Sequence, residues 1–517
     1  MSVTVTANLT TISLCESLTG WTAVGGTNSL NDPTVFDQKQ GSYCIQNYNA
    51  SSVDRGSDYT ILSTNFSDTT IYCWFAFSKV PHATNYMRIR LTDSAGNWRE
   101  WNIFNKSNLP HIGWIAWALK TSVAYDSQSA TPPVMTNITK VGWRMSAVIA
   151  KVYIYFDAWR YGTGLSIKGG DSGTPAVFDD FITAESTNAY GIIEKFNDVY
   201  FVQGKIIIGS LTANESTYFK DTNRVIVFGD IYKTPSGFYE IKGQNATSGS
   251  GTTEIYLGDN GVFGCVIKAS TNMKFLFNMS DTYITKFDFG GCSFINANTI
   301  TGQSYSVNKQ FRNCNFISCS EILPYTGIVN GCNFITSGGR AVRISENPHY
   351  VTNCQFINCQ TAVHHNVGGA GGTPYEYDYD NLKFSGNTYD IENSAVTPNF
   401  YIDIDRLNGS NPDVGKINNS AGGTTTILTI AVVLTLTGLI ASSEVRIYNA
   451  GTTTELDGVE NSETTFQYLY NYGEYPNIDI VVHKADRIYY RLNNYTPGST
   501  NANLPIVQQF DRQYQNP

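Results

Sequence analysis

Apolar and polar positions alternate with a period of two through the first third of the chain. Thr70-Ile-Tyr-Cys-Trp-Phe-Ala-Phe77, Met87-Arg-Ile-Arg-Leu91 and Ala150-Lys-Val-Tyr-Ile-Tyr-Phe156 carry the pattern, with turn residues between them. A strand points successive side chains to opposite faces, so each stretch predicts a strand with one face in a core. All eight Trp lie between Trp21 and Trp159. That break in composition sets a first domain at residues 1–165, a Trp-rich β-sandwich. Tyr200-Phe-Val-Gln-Gly-Lys-Ile-Ile-Ile208 and Arg224-Val-Ile-Val-Phe-Gly229 predict further strands in 166–250, a β-rich shoulder that leads into the next domain.

A short phrase then recurs through 251–400: Cys292-Ser-Phe294-Ile295, Cys314-Asn-Phe316-Ile317, Cys332-Asn-Phe334-Ile335 and Cys354-Gln-Phe356-Ile357, with a degenerate fifth copy at Leu382-Lys-Phe384. The steps are 22, 18, 22 and 28 residues. Repeats of this length indicate stacked units. Within a strand the Cys and the Phe two residues on share a face. With one phrase per rung and rungs ~4.8 Å apart, the thiols form one column and the rings another. This predicts a parallel β-helix with Cys292, Phe294, Cys314, Phe316, Cys332, Phe334, Cys354 and Phe356 as its core ladder. Cys319 and Cys359 fall five residues into their copies, on the next inward face.

Asn408-Gly-Ser-Asn-Pro412 and Asn418-Asn-Ser-Ala-Gly-Gly423 read as a linker over 401–423. Val445-Arg-Ile-Tyr-Asn449, Thr452-Thr-Thr-Glu-Leu456 and the period-two strand Ile478-Asp-Ile-Val-Val482 build a last small β-domain. It occupies 424–517 and ends in a tail, Gln508-Gln-Phe-Asp-Arg-Gln-Tyr514.

Composition narrows the function. Charged residues make up only 15% of the chain and aromatics 13%, and the net charge is −9. No run of Lys or Arg supports nucleic-acid binding. The N-terminus, Met1-Ser-Val-Thr-Val-Thr, has neither the basic start nor the apolar core of a signal peptide, so synthesis in a cytoplasm without secretion is expected. Ile427 to Ile440 is too short and too Thr-rich to span a bilayer, which takes about 20 apolar residues, so no membrane insertion is expected. The ten Cys are expected to be free thiols packed as small hydrophobes. Cys-x4-Cys without a nearby His is a weak zinc pattern, so no metal is expected.

Candidate chemistry is sparse. Gly170-Asp-Ser-Gly173-Thr-Pro175 looks like the nucleophile motif of chymotrypsin-like proteases. Thr174 stands where that family has Gly, however, and neither His82 nor His111 sits in the expected Ala-Ala-His-Cys phrase, so the segment reads as a Gly-rich turn. Tyr375-Glu376-Tyr377-Asp378-Tyr379-Asp380 is an acidic loop after Gly368-Gly-Ala-Gly-Gly372, in the long fifth step of the repeat, where it is expected to bulge outward. In an extended strand its three acids would share one face, and its Tyr rings could stack on a sugar. It is the candidate glycan-contact or carboxylate site. His364-His365, beside it, read as half-exposed at a turn. No phosphate-binding loop, dinucleotide fingerprint or metal-binding helix motif is present, so no catalytic residue and no cofactor is assigned.

The order Gly20-Trp21, Gly41-Ser-Tyr-Cys-Ile45, Trp98-Arg-Glu-Trp101 resembles the jelly-roll sandwiches of lectin-like and carbohydrate-binding modules, in architecture rather than in a ligand site. Residues 424–517 resemble the small immunoglobulin-like domains that recur in phage virion proteins. The implied fold is all-β: an N-terminal jelly-roll-like sandwich, a central right-handed parallel β-helix and a C-terminal immunoglobulin-like sandwich. That series resembles a virion structural protein of a tailed bacteriophage: a capsid decoration protein, a head fibre, or a tail fibre or tailspike. The resemblance implies a non-enzymatic component located in the virion, a homotrimer in contact with other virion proteins. Two alternatives remain: an adhesin that grips a host-surface glycan, and a tailspike depolymerase. The depolymerase needs two carboxylates ~5.5 Å apart for retention or ~6.5–9.5 Å for inversion.

Overall fold

The computed structural model describes the chain apart from residues 1, 32–37, 52, 81–85, 105–112, 149–150, 230–238, 259–263, 270–273, 282, 303–308, 325–326, 346–348, 368–373, 395–400, 408–409, 420–422, 429–430, 472–474, 499 and 512–517. The all-β expectation holds, and Phe178–Asn188 is the one α-helix among the described residues. The chain forms two compact units, Met1–Gly327 and Ile328–Pro517.

The first unit opens with a six-stranded antiparallel sheet. Its order is Ser127–Gln128, Trp98–Phe104, Met87–Asp93, Ile138–Val148, Val53–Thr64 and Trp21–Val24. Met87–Asp93 alternates strictly, with Met87, Ile89 and Leu91 in the core and Arg88, Arg90 and Thr92 on the other face. A second layer is built on the long strand Ile154–Lys168, which pairs antiparallel with Thr4–Ser13, Cys44–Tyr48 and Thr70–Phe77. Five of the eight Trp expected to mark this domain, Trp21, Trp101, Trp117, Trp143 and Trp159, are buried between the layers. Some of these rings meet neighbours edge-on, as Trp159 does Phe75 at 5.6 Å and Trp143 does Phe156 at 5.7 Å, while Trp117 stacks on Phe104 at 4.7 Å.

Parallel pairing starts where that long strand ends, at Leu165↔Ile206. From there successive strands visit three sheets in rotation. Val199–Val202, Lys205–Ile208 and Thr217–Asp221 are followed by Val225–Phe228, Glu240–Gly243 and Thr253–Leu257, each directly above its counterpart. Segment 166–250, expected as a shoulder, therefore already carries the ladders. The recurring phrase marks only later rungs. The helix supplies Phe178, which packs against Phe219 at 5.2 Å and Tyr200 at 5.6 Å. It shields the apolar interior of the first rungs.

Backbone conformation explains the phrase. Each copy is a three-residue strand between two corners in the left-handed region. Gly291 (φ 64) and Asn296 (φ 60) flank the first copy, Asn313 (φ 53) and Ser318 (φ 54) the second, and Asn353 (φ 54) and Asn358 (φ 54) the fourth. Asn tolerates that region better than most residues, and Gly has no Cβ to clash there. Between the corners the Phe rings stack in register: Phe294 on Phe316 at 5.3 Å, Phe334 on Phe356 at 4.8 Å, Phe356 on Phe384 at 5.2 Å.

In the second unit the same rotation is seen. Thr361–His365 pairs with Tyr389–Asn393, and Gln355–Ile357 with Lys383–Ser385. Tyr375–Asp380, expected as an outward bulge, is a strand. It pairs residue for residue with Tyr401–Leu407, which pairs in turn with Thr424–Leu428. Within 401–423, expected as a linker, Tyr401–Leu407 and Ile417–Asn419 are ladder strands. A mostly antiparallel module follows, in which Ala431–Thr437 pairs antiparallel with Thr465–Asn471 and parallel with Ala502–Pro505. Its sheets are Thr465–Asn471, Ala431–Thr437, Ala502–Pro505 and Glu455–Val459, Glu444–Asn449, Ile478–His483, Tyr490–Tyr495, closed around Leu434, Leu436, Val445, Ile447 and Ile480. Gly368–Gly372 and the last part of the tail, 512–514, lie outside the described residues.

Candidate functional site

Alternation within Tyr375–Asp380 sorts its side chains. Tyr377 and Tyr379 turn inward and are buried, whereas Glu376 and Asp378 are exposed. Only Tyr375 of the three tyrosines presents its ring to solvent. The neighbouring strand doubles the acidic face, because Glu376 lies beside Asp403 and Asp378 beside Asp405. Partial burial, and then the negative charges of Asp378, Glu376 and Asp403, raise the pKa of Asp405. Among the described residues no group of His, Cys, Asp and Glu is arranged to hold a metal ion.

The inward rings meet histidines. His365 Nε2 is 2.8 Å from the Tyr379 hydroxyl, and its ring lies 4.3 Å from that of Tyr377. The Tyr377 hydroxyl donates to the Val367 carbonyl at 2.9 Å. The His349 ring is tilted against that of Tyr377 at 5.7 Å. His364, on the opposite side of its strand, reaches the Ser394 hydroxyl at 2.5 Å and lies in register with Arg343 and Glu392. Neither His364 nor His365 is half-exposed: both are buried within a strand. Burial lowers the pKa of His349 and of His364 to about 4, the latter with help from Arg340, and pushes that of His365 well down.

All ten cysteines are buried and unbridged. The thiols of those in the ladders also reach backbone carbonyls at the rung corners. Cys292 Sγ lies 3.3 Å from the Leu257 oxygen, Cys314 Sγ 3.2 Å from that of Phe289, and Cys354 Sγ 3.6 Å from that of Val329. Cys332 Sγ meets the Asn330 oxygen at 3.5 Å. A thiol combines apolar bulk with a weak donor, which suits a column beside carbonyls the ladder leaves under-satisfied. The columns of Cys and Phe are core, not chemistry.

A second constellation lies on the outer face of the six-stranded sheet, where sequence reasoning assigned no site. Cross-strand register sets it: Arg90 opposes both Gly142 and Glu100, Arg88 opposes Arg144, and Asp58 opposes Gly142. Glu100 is fully buried. It accepts from Arg88 Nη1 at 2.9 Å, Arg90 Nε at 2.6 Å and the Ser127 hydroxyl at 3.1 Å. Arg88 Nη2 also reaches the Ser146 hydroxyl at 2.5 Å. Arg144 Nη2 donates to Asp58 Oδ2 at 2.7 Å, while Asp58 Oδ1 is buried with no hydrogen-bond partner. The Arg90 guanidinium lies over the half-buried ring of Trp98 at 4.2 Å. The arrangement is a polar floor with rigid donors and an aromatic edge. The signal for it was the polar half of Met87-Arg-Ile-Arg-Leu91 and Trp98-Arg-Glu-Trp101, but pairing it with Asp58 and Arg144 needs the register.

No protein family and no curated protein matches the chain. Among solved structures it is similar to an exo-β-agarase at 9% identity and a TM-score of 0.25, over 33% of this chain and 26% of that one. It is similar to a family 11 carbohydrate-binding module from Clostridium thermocellum, solved with a β-1,3-1,4-mixed-linked tetrasaccharide. The identity is 10% and the TM-score 0.23, over 30% of this chain and 94% of the module. A CBM22-1 xylan-binding domain from Paenibacillus barcinonensis matches at 13% identity and a TM-score of 0.20, over 30% of this chain and 91% of that domain. At these identities and TM-scores the likeness carries no argument about fold or ligand.

Proposed function

We propose that the protein is a non-enzymatic structural component of a tailed-bacteriophage virion that grips a glycan through the outer face of its N-terminal sandwich. The observation that carries the binding role is the Glu100 network. A fully buried carboxylate holds two arginines in place beside Trp98. Sugars are recognised by such fixed donors next to an aromatic ring, because the ordering cost is already met in the free protein. In this reading the sandwich is jelly-roll-like, the three rotating ladders wind as a right-handed parallel β-helix, and the last module is immunoglobulin-like. The role in assembly, as a homotrimer bound to other virion proteins, is supported by exposed apolar side chains in that module. Ile488, Tyr489, Val507 and Phe510 are each more than half exposed, and the backbone amide of Ile488 bonds to the Gln509 carbonyl between the last two.

The depolymerase reading has one observation in its favour, the paired carboxylates Glu376/Asp403 and Asp378/Asp405 on adjacent strands. Strands ~4.8 Å apart bring such pairs near the spacing of retaining glycosidases. Affinity electrophoresis of the full chain through gels of soluble polysaccharides tests both readings. Retardation without loss of polymer length, weakened by Trp98→Ala, is the expected result. Shortening of the polymer that Glu376→Gln abolishes would replace adhesion with hydrolysis, and migration unaffected by every polymer would refute both.

A further inference from the structure

We infer that the glycan held by the sandwich is anionic, a polysaccharide whose sugars carry carboxylates such as uronates, and that the spare guanidinium charge at the centre of the six-stranded sheet selects it. This rests on the glycan-binding reading above. The chain as a whole is acidic, with 43 Asp and Glu against 34 Lys and Arg. The centre of this face has the opposite balance: Arg88, Arg90 and Arg144 against Glu100 and Asp58. Around the centre, exposed Lys140 and Asp54 lie at opposite ends, and exposed Asp126 accepts from the Asn102 amide on the neighbouring strand opposite Arg88.

Both central carboxylates are engaged. Glu100 is shared by two arginines and Ser127, and Asp58 is committed through Oδ2 to Arg144. One positive charge therefore lacks a counter-charge within the centre. The arginines also crowd one another: burial lowers the pKa of Arg90, and the Arg144 charge lowers it further. An anion placed between them would relieve that repulsion.

The floor is shaped to hold the charges flat. A Cβ added at Gly142 would fall 2.4 Å from Asp58 Oδ1, and one at Gly56 would fall 2.7 Å from Arg144 Cδ. Glycine at these two positions lets Arg144 and Asp58 lie across the sheet instead of standing away from it. The side chains of Arg88, Arg90 and Arg144 keep only 25%, 22% and 11% of their exposure. Much of the cost of stripping water from them has thus been met during folding. A planar carboxylate meets a planar fork of donors with geometry that suits bidentate hydrogen bonds. A hydroxyl of the same sugar would meet the donors of Arg88 and Arg90, which Glu100 holds beside the half-buried ring of Trp98.

Calorimetric titration of the full chain with oligomers of polygalacturonate, alginate and hyaluronate tests the inference. Methyl-esterified polygalacturonate, β-glucan and xylan serve as uncharged probes. At least one uronate should bind, lose affinity about tenfold between low salt and about 0.3 M salt, and fail to bind once esterified. Lys140→Glu changes an exposed residue outside the buried network and should weaken the uronate several-fold with an unchanged melting temperature. Arg88→Gln, which leaves Glu100 its bond to Arg90, should weaken it about tenfold. Equal binding of ester and acid, or binding of β-glucan or xylan alone, overturns the anionic inference while the glycan-binding reading stands. Failure of every polymer to bind overturns both.

Discussion

Mild acid should open the His365 layer of the second unit. His364 and His365 are fully buried, and burial depresses both pKa values, that of His364 to about 4 and that of His365 well below its ordinary value. In an unfolded chain each titrates near ~6.5. The folded value lies below the unfolded one, so across the window between them the unfolded chain binds more protons. The stability these groups contribute is full above ~6.5 and is lost as pH falls. At about pH 5 the loss is set by the unfolded value, ~1.5 pH units or about 2 kcal/mol for each group, hence about 4 kcal/mol for the pair. Whole domains have only ~5–15 kcal/mol in reserve. The surroundings offer little relief. Arg340, Arg343 and Glu392 face His364, two cations against one anion, while His349, Tyr377 and Tyr379 face His365. Hydrogen exchange read by mass spectrometry is the assay, with peptides spanning Thr361–His365 and Tyr375–Asp380 compared at about pH 7.5 and about pH 5 after correction for chemical rates. Protection should fall by about a thousandfold, the equivalent of 4 kcal/mol at ~1.4 kcal/mol per factor of ten. His365→Phe alone leaves the Tyr379 hydroxyl buried without its partner, at a cost of ~1–3 kcal/mol. Adding Tyr379→Phe should recover much of that loss and halve the response to acid. Corrected protection that is the same at both pH values would mean that protonation of the buried histidines does not open this layer.

Two other predictions concern stability. Asn353→Ala forces an alanine to φ 54 and removes the bond that Asn353 Oδ1 accepts from Asn381 at 2.9 Å, so a loss of about 1–2 kcal/mol is expected in thermal melts. Asn353→Gly should cost clearly less, and equal damage from the two would show that backbone conformation does not select asparagine there. Asp405→Asn removes a carboxylate whose pKa is raised by burial and by Asp378, Glu376 and Asp403. A raised folded value means that its contribution is lost as pH rises, so the variant should melt higher than the parent at neutral pH in low salt, and the difference should shrink in acid and in high salt.

Period-two alternation alone determined that these segments are strands, because a pleat admits no other way to bury one side of Met87–Asp93. The recurring phrase at Cys292, Cys314, Cys332 and Cys354 likewise indicated stacked rings, since like side chains at the same place on successive rungs meet, as Phe294 does Phe316 and Phe334 does Phe356. The same local evidence misjudged Tyr375–Asp380. Tyrosine alternating with acid is polar along its whole length, and only a neighbouring strand at Tyr401–Leu407 and a buried His365 turn it into a rung with its rings inside. Nor could the phrase reveal why its first residue is Cys, because the carbonyls that the thiols meet lie on a preceding rung, as Phe289 does for Cys314. The charged face of the sandwich was beyond local reading for a stronger reason. Asp58, Arg90, Glu100 and Arg144 lie on four strands, only two of them neighbours in sequence, and which of their side chains share a face depends on pairings such as Asp58 with Gly142 and Arg90 with Glu100. A strand pattern specifies which residues face away from the core. Which of them then become neighbours is decided by register, and register exists only once the sheet has formed.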